Sequence, residues 1–205
     1  MNTAQVLAEL KKAGQENIRK IFIRHGAKGT IYGVKVEEMK KIQKKIKTDA
    51  QTIAKELFSS GIGDAQYLAG LMANGAEMTK KELDNWAQTA TWGMASEYAV
   101  PWVTAENPDA ISIALKWIDS KNAQVATSGW TTLGAVAATW PDEKLDMALF
   151  KKLIARVEKE IFKAPNRVRY CMNGFVITVG SYCKELTAMA LSTGKKIGTV
   201  EVDMG

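Results

Sequence analysis

Trp92, Ser96 and Glu97, within the tryptophan-rich stretch 85–103, are the strongest candidates for chemistry in this 205-residue chain. Ser96 follows Trp92 by four positions, which places both on one helical face, a turn apart. Glu97 is one residue further round, by about 100°. An exposed indole can stack on a sugar or a base. A hydroxyl can order a water, and a carboxylate can stabilise positive charge as it develops. Of the three tryptophans in this stretch, Trp92 stands at a helix start beside Gly93 and is predicted to be the exposed one. Trp86, at a core position, and Trp102, after Pro101, are assigned to packing.

A second constellation is cationic. Residues 1–50 hold 12 Lys and Arg against 5 Asp and Glu, whereas the remaining residues hold 16 against 17. A helix over 36–47 would align Lys40, Lys44 and Lys47 in one stripe, with Lys41 and Lys45 beside it. The preceding loop, 25–34, contains three glycines and Lys28. Its backbone amides and Lys28 can approach phosphate. Further basic residues, Arg167 and Arg169 among them, crowd the stretch 151–169. A basic chain with pI about 9.2 is a candidate for binding a polyanion through phosphate contacts. The alternative is a solubilising surface.

Other chemistries are excluded by composition. A single histidine, His25, rules out His-based metal clusters and Ser-His-Asp triads. Gly61-Ile-Gly63 is too little for a dinucleotide fingerprint, and there is no Walker motif. Cys171 and Cys183 show no metal spacing and read as buried free thiols of a reducing compartment. No cofactor and no metal are expected. No apolar run is long enough for a membrane span, and the N-terminus lacks a secretory pattern. A cytoplasmic protein with no membrane partner follows as the expectation.

The chain around these residues reads as helical almost throughout. Apolar residues recur at helical spacing over 3–12, 15–24 and 36–47. Asp49 and Asp64 are predicted N-caps of helices running to about Phe58 and Ala73. Thr79-Lys-Lys-Glu82 is a capping box. A helix over 92–102 is expected to be shortened or kinked by Pro101. Asn107-Pro108, Asn122, Pro141 and Pro165 are predicted to open four more helices, and 184–192 a last short one. The stretch 122–139 is rich in Gly and Ala, which suits close helix packing. The tail 196–205 alternates like an extended segment and stops as a truncated chain would. Helices of ten to fifteen residues recur as pairs about every 35–40 residues. That predicts an all-α fold, an α-solenoid of HEAT/armadillo-like helix pairs forming one domain over 1–205.

Residues 31–42 (Ile-Tyr-Gly-Val-Lys-Val-Glu-Glu-Met-Lys-Lys-Ile) resemble the early signature of the AlkD-like DNA alkylation repair family, an aromatic-Gly-Val turn leading into a basic helix. The Trp92 segment is similar to the family's Trp-x-x-x-Asp segment. Residues 173–180 and 196–205 resemble late segments of an alkylation-repair-like branch. The resemblance implies helix pairs curved around duplex DNA, with a basic concave face. It also implies hydrolysis of the N-glycosidic bond of N3- or N7-alkylated purines, whose positive charge makes them good leaving groups. Trp92 matches the family tryptophan, while the family's carboxylate falls on Ser96. The family's later Arg and second Trp have no secure match in the corresponding regions, 126–130 and 173–175.

The expectation is therefore a DNA-binding helical-repeat protein related to alkylation repair. Lys28, Lys40, Lys44, Lys47, Arg167 and Arg169 would contact phosphates, and Trp92 the sugar-phosphate backbone of double-stranded DNA. Excision would be weak or absent, because Ser96 stands where the family has an acid. The alternatives are an active alkylpurine DNA glycosylase using Glu97, or Ser96 with a bound water, and a scaffold for a protein partner.

Overall fold

A computed structural model describes residues 1–205. The chain is all-α, with twelve α-helices and no strand. It packs as two compact units, one of residues 1–107 with Met204 and Gly205, the other of residues 108–203.

The first unit contains α1 (Thr3–Ala13), α2 (Glu16–Arg24), α3 (Val36–Gln43), α4 (Ala50–Ser59), α5 (Gly63–Met72), α6 (Lys80–Thr89) and α7 (Val100–Ala105). Helix α5 is its hub. It packs on α4, on α3 and on the turn that leads into α7. Six residues of α5 from Asp64 to Ala69 are buried, so it has no polar stripe. Gly70 lets the chain at Ala99 come close, since a Cβ at Gly70 would lie 2.4 Å from that of Ala99. Helices α4 and α6 are joined by Phe58 stacked on Trp86, with ring centroids 4.0 Å apart. Trp86 is thus a core residue, as its spacing predicts. The predicted capping box at Thr79 is present, with Glu82 reaching back to the Thr79 N–H.

Two predicted caps take other roles. Asp49 precedes α4 but adopts the left-handed conformation (φ 57°), and its side chain makes no cap hydrogen bond. Asp64 sits inside the first turn of α5. Its buried carboxylate accepts hydrogen bonds from the N–H groups of Tyr32 (2.5 Å) and Val34 (2.8 Å). A local capping motif is read from neighbours within three residues, and here a distant loop supplied stronger donors. Asn107 likewise does not cap the helix after Pro108. It is buried, and its amide donates to the carbonyls of Gly75 and Met78, both at 2.8 Å.

The predicted helix over 92–102 is interrupted by a single π-turn, Ala95–Ala99. Pro101 has no N–H to offer the carbonyl four residues back, and its ring would collide there. The chain widens by one residue, and the Val100 N–H bonds to the Ala95 carbonyl instead. The helix then resumes as α7.

The second unit contains α8 (Ala110–Ile118), α9 (Ala123–Thr139), α10 (Met147–Glu160), α11 (Asn166–Tyr182) and α12 (Thr187–Ile197). Helix α9 packs on α8 and on α11, and α12 lies on α10 and α11. The small residues of α9 do serve close packing. A Cβ at Gly129 would come within 2.9 Å of both Ile118 and Trp117. Trp130, Phe150 and Phe175 form the centre of this core, with ring spacings of 5.4 and 6.0 Å. Asn122 caps α9 as predicted. Pro141 opens only a short 3-10 turn, and Asp146 caps α10. Residues 198–205 form neither helix nor strand.

Candidate nucleic-acid interface

The basic segment is shorter as a helix than its pattern predicts. Helix α3 ends at Gln43, and Lys44 follows as its C-cap. Beyond it, the N–H groups of Lys45 and Ile46 bond three residues back, to Ile42 and Gln43. That tighter turn takes Lys47 off the helical stripe. The five lysines then divide by partner. Lys41 pairs with Glu38 at 2.6 Å, and Lys45 with Glu9 at 2.8 Å. Lys40, Lys44 and Lys47 are exposed and face no carboxylate. Lys40 also lies in the last turn of α3, where a cation suits the helix dipole.

The glycine-containing loop before α3 is fixed at one end and open at the other. Gly33 has φ +77°, and a side chain there would strike the backbone of Arg19. The amides of Tyr32 and Val34 are already held by Asp64, so they are not available to a phosphate. Lys28, at the loop's tip, is exposed between Gly26 and Gly29, around which there is open space.

The Trp92 group differs from its expectation. Trp92 is 5 % exposed, its ring 4.8 Å from that of Phe22 and packed against Gly63. Its indole N–H is buried without a hydrogen-bond partner. Flanking Gly93 does not uncover it, because α2 and α5 cover it from elsewhere in the chain. Ser96 is 2 % exposed, and its hydroxyl donates to the Trp92 carbonyl at 3.3 Å. Glu97 is 3 % exposed, and one carboxylate oxygen lies 3.3 Å from where a Cβ on Gly93 would sit.

The exposed tryptophan of the stretch is Trp102, at 38 %, beside Tyr98 at 36 %. The two rings meet edge to face at 5.7 Å. Buried Tyr67 of α5 lies edge-on to Trp102, also at 5.7 Å, and burial raises its phenol pKa. A signal for this pair was available: Tyr98 and Trp102 are four residues apart, as Trp92 and Ser96 are.

In the second unit, the Arg167 guanidinium lies over the Tyr170 ring at 4.5 Å. Arg169 donates to the carbonyls of Glu201, Ala164 and Phe162 at 3.2, 3.3 and 3.5 Å. Its Nε is buried and unpartnered. This arginine is engaged in holding the tail and the turn before α11. Of the sequence-predicted residues, Lys28, Lys40, Lys44, Lys47, Trp92, Ser96 and Glu97 belong to the first unit, and Arg167 and Arg169 to the second.

The helix pairs of both units describe an all-helical repeat protein. The chain belongs to the DNA alkylation repair enzyme family, whose model matches residues 6–197. It is similar to two relatives known as uncharacterized proteins. Lin0241 of Listeria innocua serovar 6a is 30 % identical and Lmo0209 of Listeria monocytogenes serovar 1/2a is 29 % identical, each over 98 % of this chain and 88 % of the relative. Among solved structures it resembles, with TM-score 0.92 and 32 % identity, a member of "a new family of proteins related to the HEAT-like repeat DNA glycosylases with affinity for branched DNA structures". That likeness covers 99 % of this chain and 86 % of the other. No helix is long and apolar enough to cross a membrane.

Proposed function

We propose that this protein binds DNA through the sugar-phosphate backbone, using Lys40, Lys44 and Lys47 with Lys28, and that it does so without efficient base excision. The observation that carries the reading is the division among the lysines of α3 and the turn after it. Two are neutralised by Glu38 and Glu9, while three are exposed without a carboxylate. A lysine that contacts a phosphate releases the counterion condensed there, so affinity falls with salt. Family membership and the affinity for branched DNA of the similar solved protein support the same partner. Weak excision is supported by the burial of Ser96 and by its neutral hydroxyl, which stabilises an oxocarbenium ion far less than a carboxylate. The test is a duplex titration across a salt series. A steep negative slope of log affinity against log salt is expected, shallower in Lys44→Ala/Lys47→Ala. A flat salt response would end this reading.

One observation favours a second reading, an active alkylpurine glycosylase. Isolated π-turns recur at functional sites, and this one carries Glu97, an acid buried beneath Gly93. Release of N7-methylguanine from DNA above the spontaneous rate, abolished in Glu97→Gln, would establish it. Release no faster than spontaneous leaves the binding role alone.

A further inference from the structure

We infer that Tyr98 and Trp102 form a stacking platform for an unpaired nucleobase, which gives the protein a preference for DNA with unstacked bases over perfect duplex. This rests on the DNA-binding reading above and adds to it a second kind of contact.

The argument starts from exposure. Trp86, Trp92, Trp117 and Trp130 are all buried, yet Trp102 keeps more than a third of its surface in water, next to an equally exposed tyrosine. An apolar ring left so exposed is poorly explained by packing. The pair is also held rigidly. Trp102 follows buried Pro101 in α7, and the edge of Tyr67 braces its ring from α5. The close approach of Gly70 to Ala99 fixes α5 against the turn that carries Tyr98. Rigid rings lose little entropy when a flat ligand stacks on them.

The DNA-binding reading selects the ligand. Helix α5, which braces the pair, also packs on α3, where Gln43 donates to the Leu71 carbonyl at 2.6 Å. The rings therefore belong to the same group of packed helices as exposed Lys40. Within the DNA-binding reading, exposed rings in the same unit as Lys40 fit a base attached to a phosphate backbone. Stacking also requires a free π-face. Bases inside a duplex are already stacked on both faces, so the occupant is an unpaired one, as at a gap, a flap or a junction.

The experiment measures binding of the full-length protein to three fluorescent DNAs: a perfect duplex, the same duplex with a short single-stranded gap, and an oligothymidine strand. The wild type is expected to prefer the gapped DNA and to show quenched tryptophan fluorescence on binding the single strand. Trp102→Ala should lose about tenfold in affinity for the gapped and single-stranded DNAs, a typical stacking loss. Its affinity for perfect duplex should change less than twofold. Trp102→Phe should keep most of the preference, and Tyr98→Ala should show a smaller loss than Trp102→Ala. Circular dichroism melting confirms that each variant is folded. Equal preference in wild type and Trp102→Ala, or a wild type that binds gapped DNA no better than duplex, overturns the platform while leaving the backbone reading intact. Absence of binding to all three DNAs overturns both. Single-strand binding that persists in Lys44→Ala/Lys47→Ala and disappears in Trp102→Ala would sustain the platform even if the lysine reading failed.

Discussion

Helix α3 and the first turn of α11 are both basic in sequence, but their charges are put to different uses. Around α3, Lys40, Lys44 and Lys47 have no acid to answer, although Lys41 and Lys45 beside them do. At the start of α11, Arg169 points its guanidinium at three backbone carbonyls, and Arg167 covers a tyrosine ring. The density of positive residues is similar, but their availability to a ligand is not. The chemistry of the side chains accounts for part of this. A guanidinium presents five donors in a fixed fork that suits several carbonyls at once, whereas an ammonium on a flexible stem stays in water.

The strongest test of this contrast is charge reversal. Lys40→Glu/Lys44→Glu/Lys47→Glu should reduce the salt slope of duplex binding by about two to three units, since each phosphate contact contributes about 0.9. A slope within error of wild type would show that α3 is only a solvated surface. Arg169→Ala should act on stability. Removing a charged donor of several hydrogen bonds costs about 2 kcal/mol, read as a lower midpoint in urea unfolding. A variant as stable as wild type but weaker on DNA would reverse the assignment of this arginine.

A smaller effect is expected at the Lys55–Glu82 pair, another charge engaged within the fold, at 2.7 Å. The hydrogen bond from Lys55, and then that from the Thr79 backbone, lower the Glu82 pKa to about 2. Since the folded value lies below the unfolded one of about 4.3, the stabilisation is present at neutral pH. It is lost as pH falls from about 4.5 toward 2. Both side chains are about one-third exposed, so solvent screening limits the pair's contribution, and with the capping box it amounts to about 1 kcal/mol. Thermal melts of Glu82→Gln should therefore differ from wild type at pH 7 and converge toward pH 2. A gap that stays constant with pH would rule out this origin. The smallest change is expected from Lys41→Ala/Lys45→Ala. These exposed, paired lysines should alter stability by less than about 1 kcal/mol and the salt slope less than Lys44→Ala/Lys47→Ala does.

The two tryptophans of the central stretch show how far local reading reaches. Its place at a helix start predicts exposure for Trp92, and the proline before it predicts packing for Trp102. The structure reverses both, because Phe22 and Gly63 close over Trp92 while Trp102 keeps more than a third of its surface in water. Asp64 teaches the same lesson for polar groups. Its spacing resembles a cap, but its carboxylate serves Tyr32 and Val34 in a loop far back in the chain.

The all-α class, the family, the capping box at Thr79, the cap at Asn122, the core role of Trp86 and the concentration of positive charge in the first fifty residues are legible along the chain. These depend on apolar periodicity, on caps within four residues, and on composition, all written along the chain. Long-range packing fixes which lysines are unpaired, which tryptophan meets water, where Asp64 and Arg169 direct their charges, and how a π-turn accommodates Pro101. Each of those outcomes depends on a partner distant in sequence or on a register shift that satisfies a backbone bond, and no local pattern encodes either.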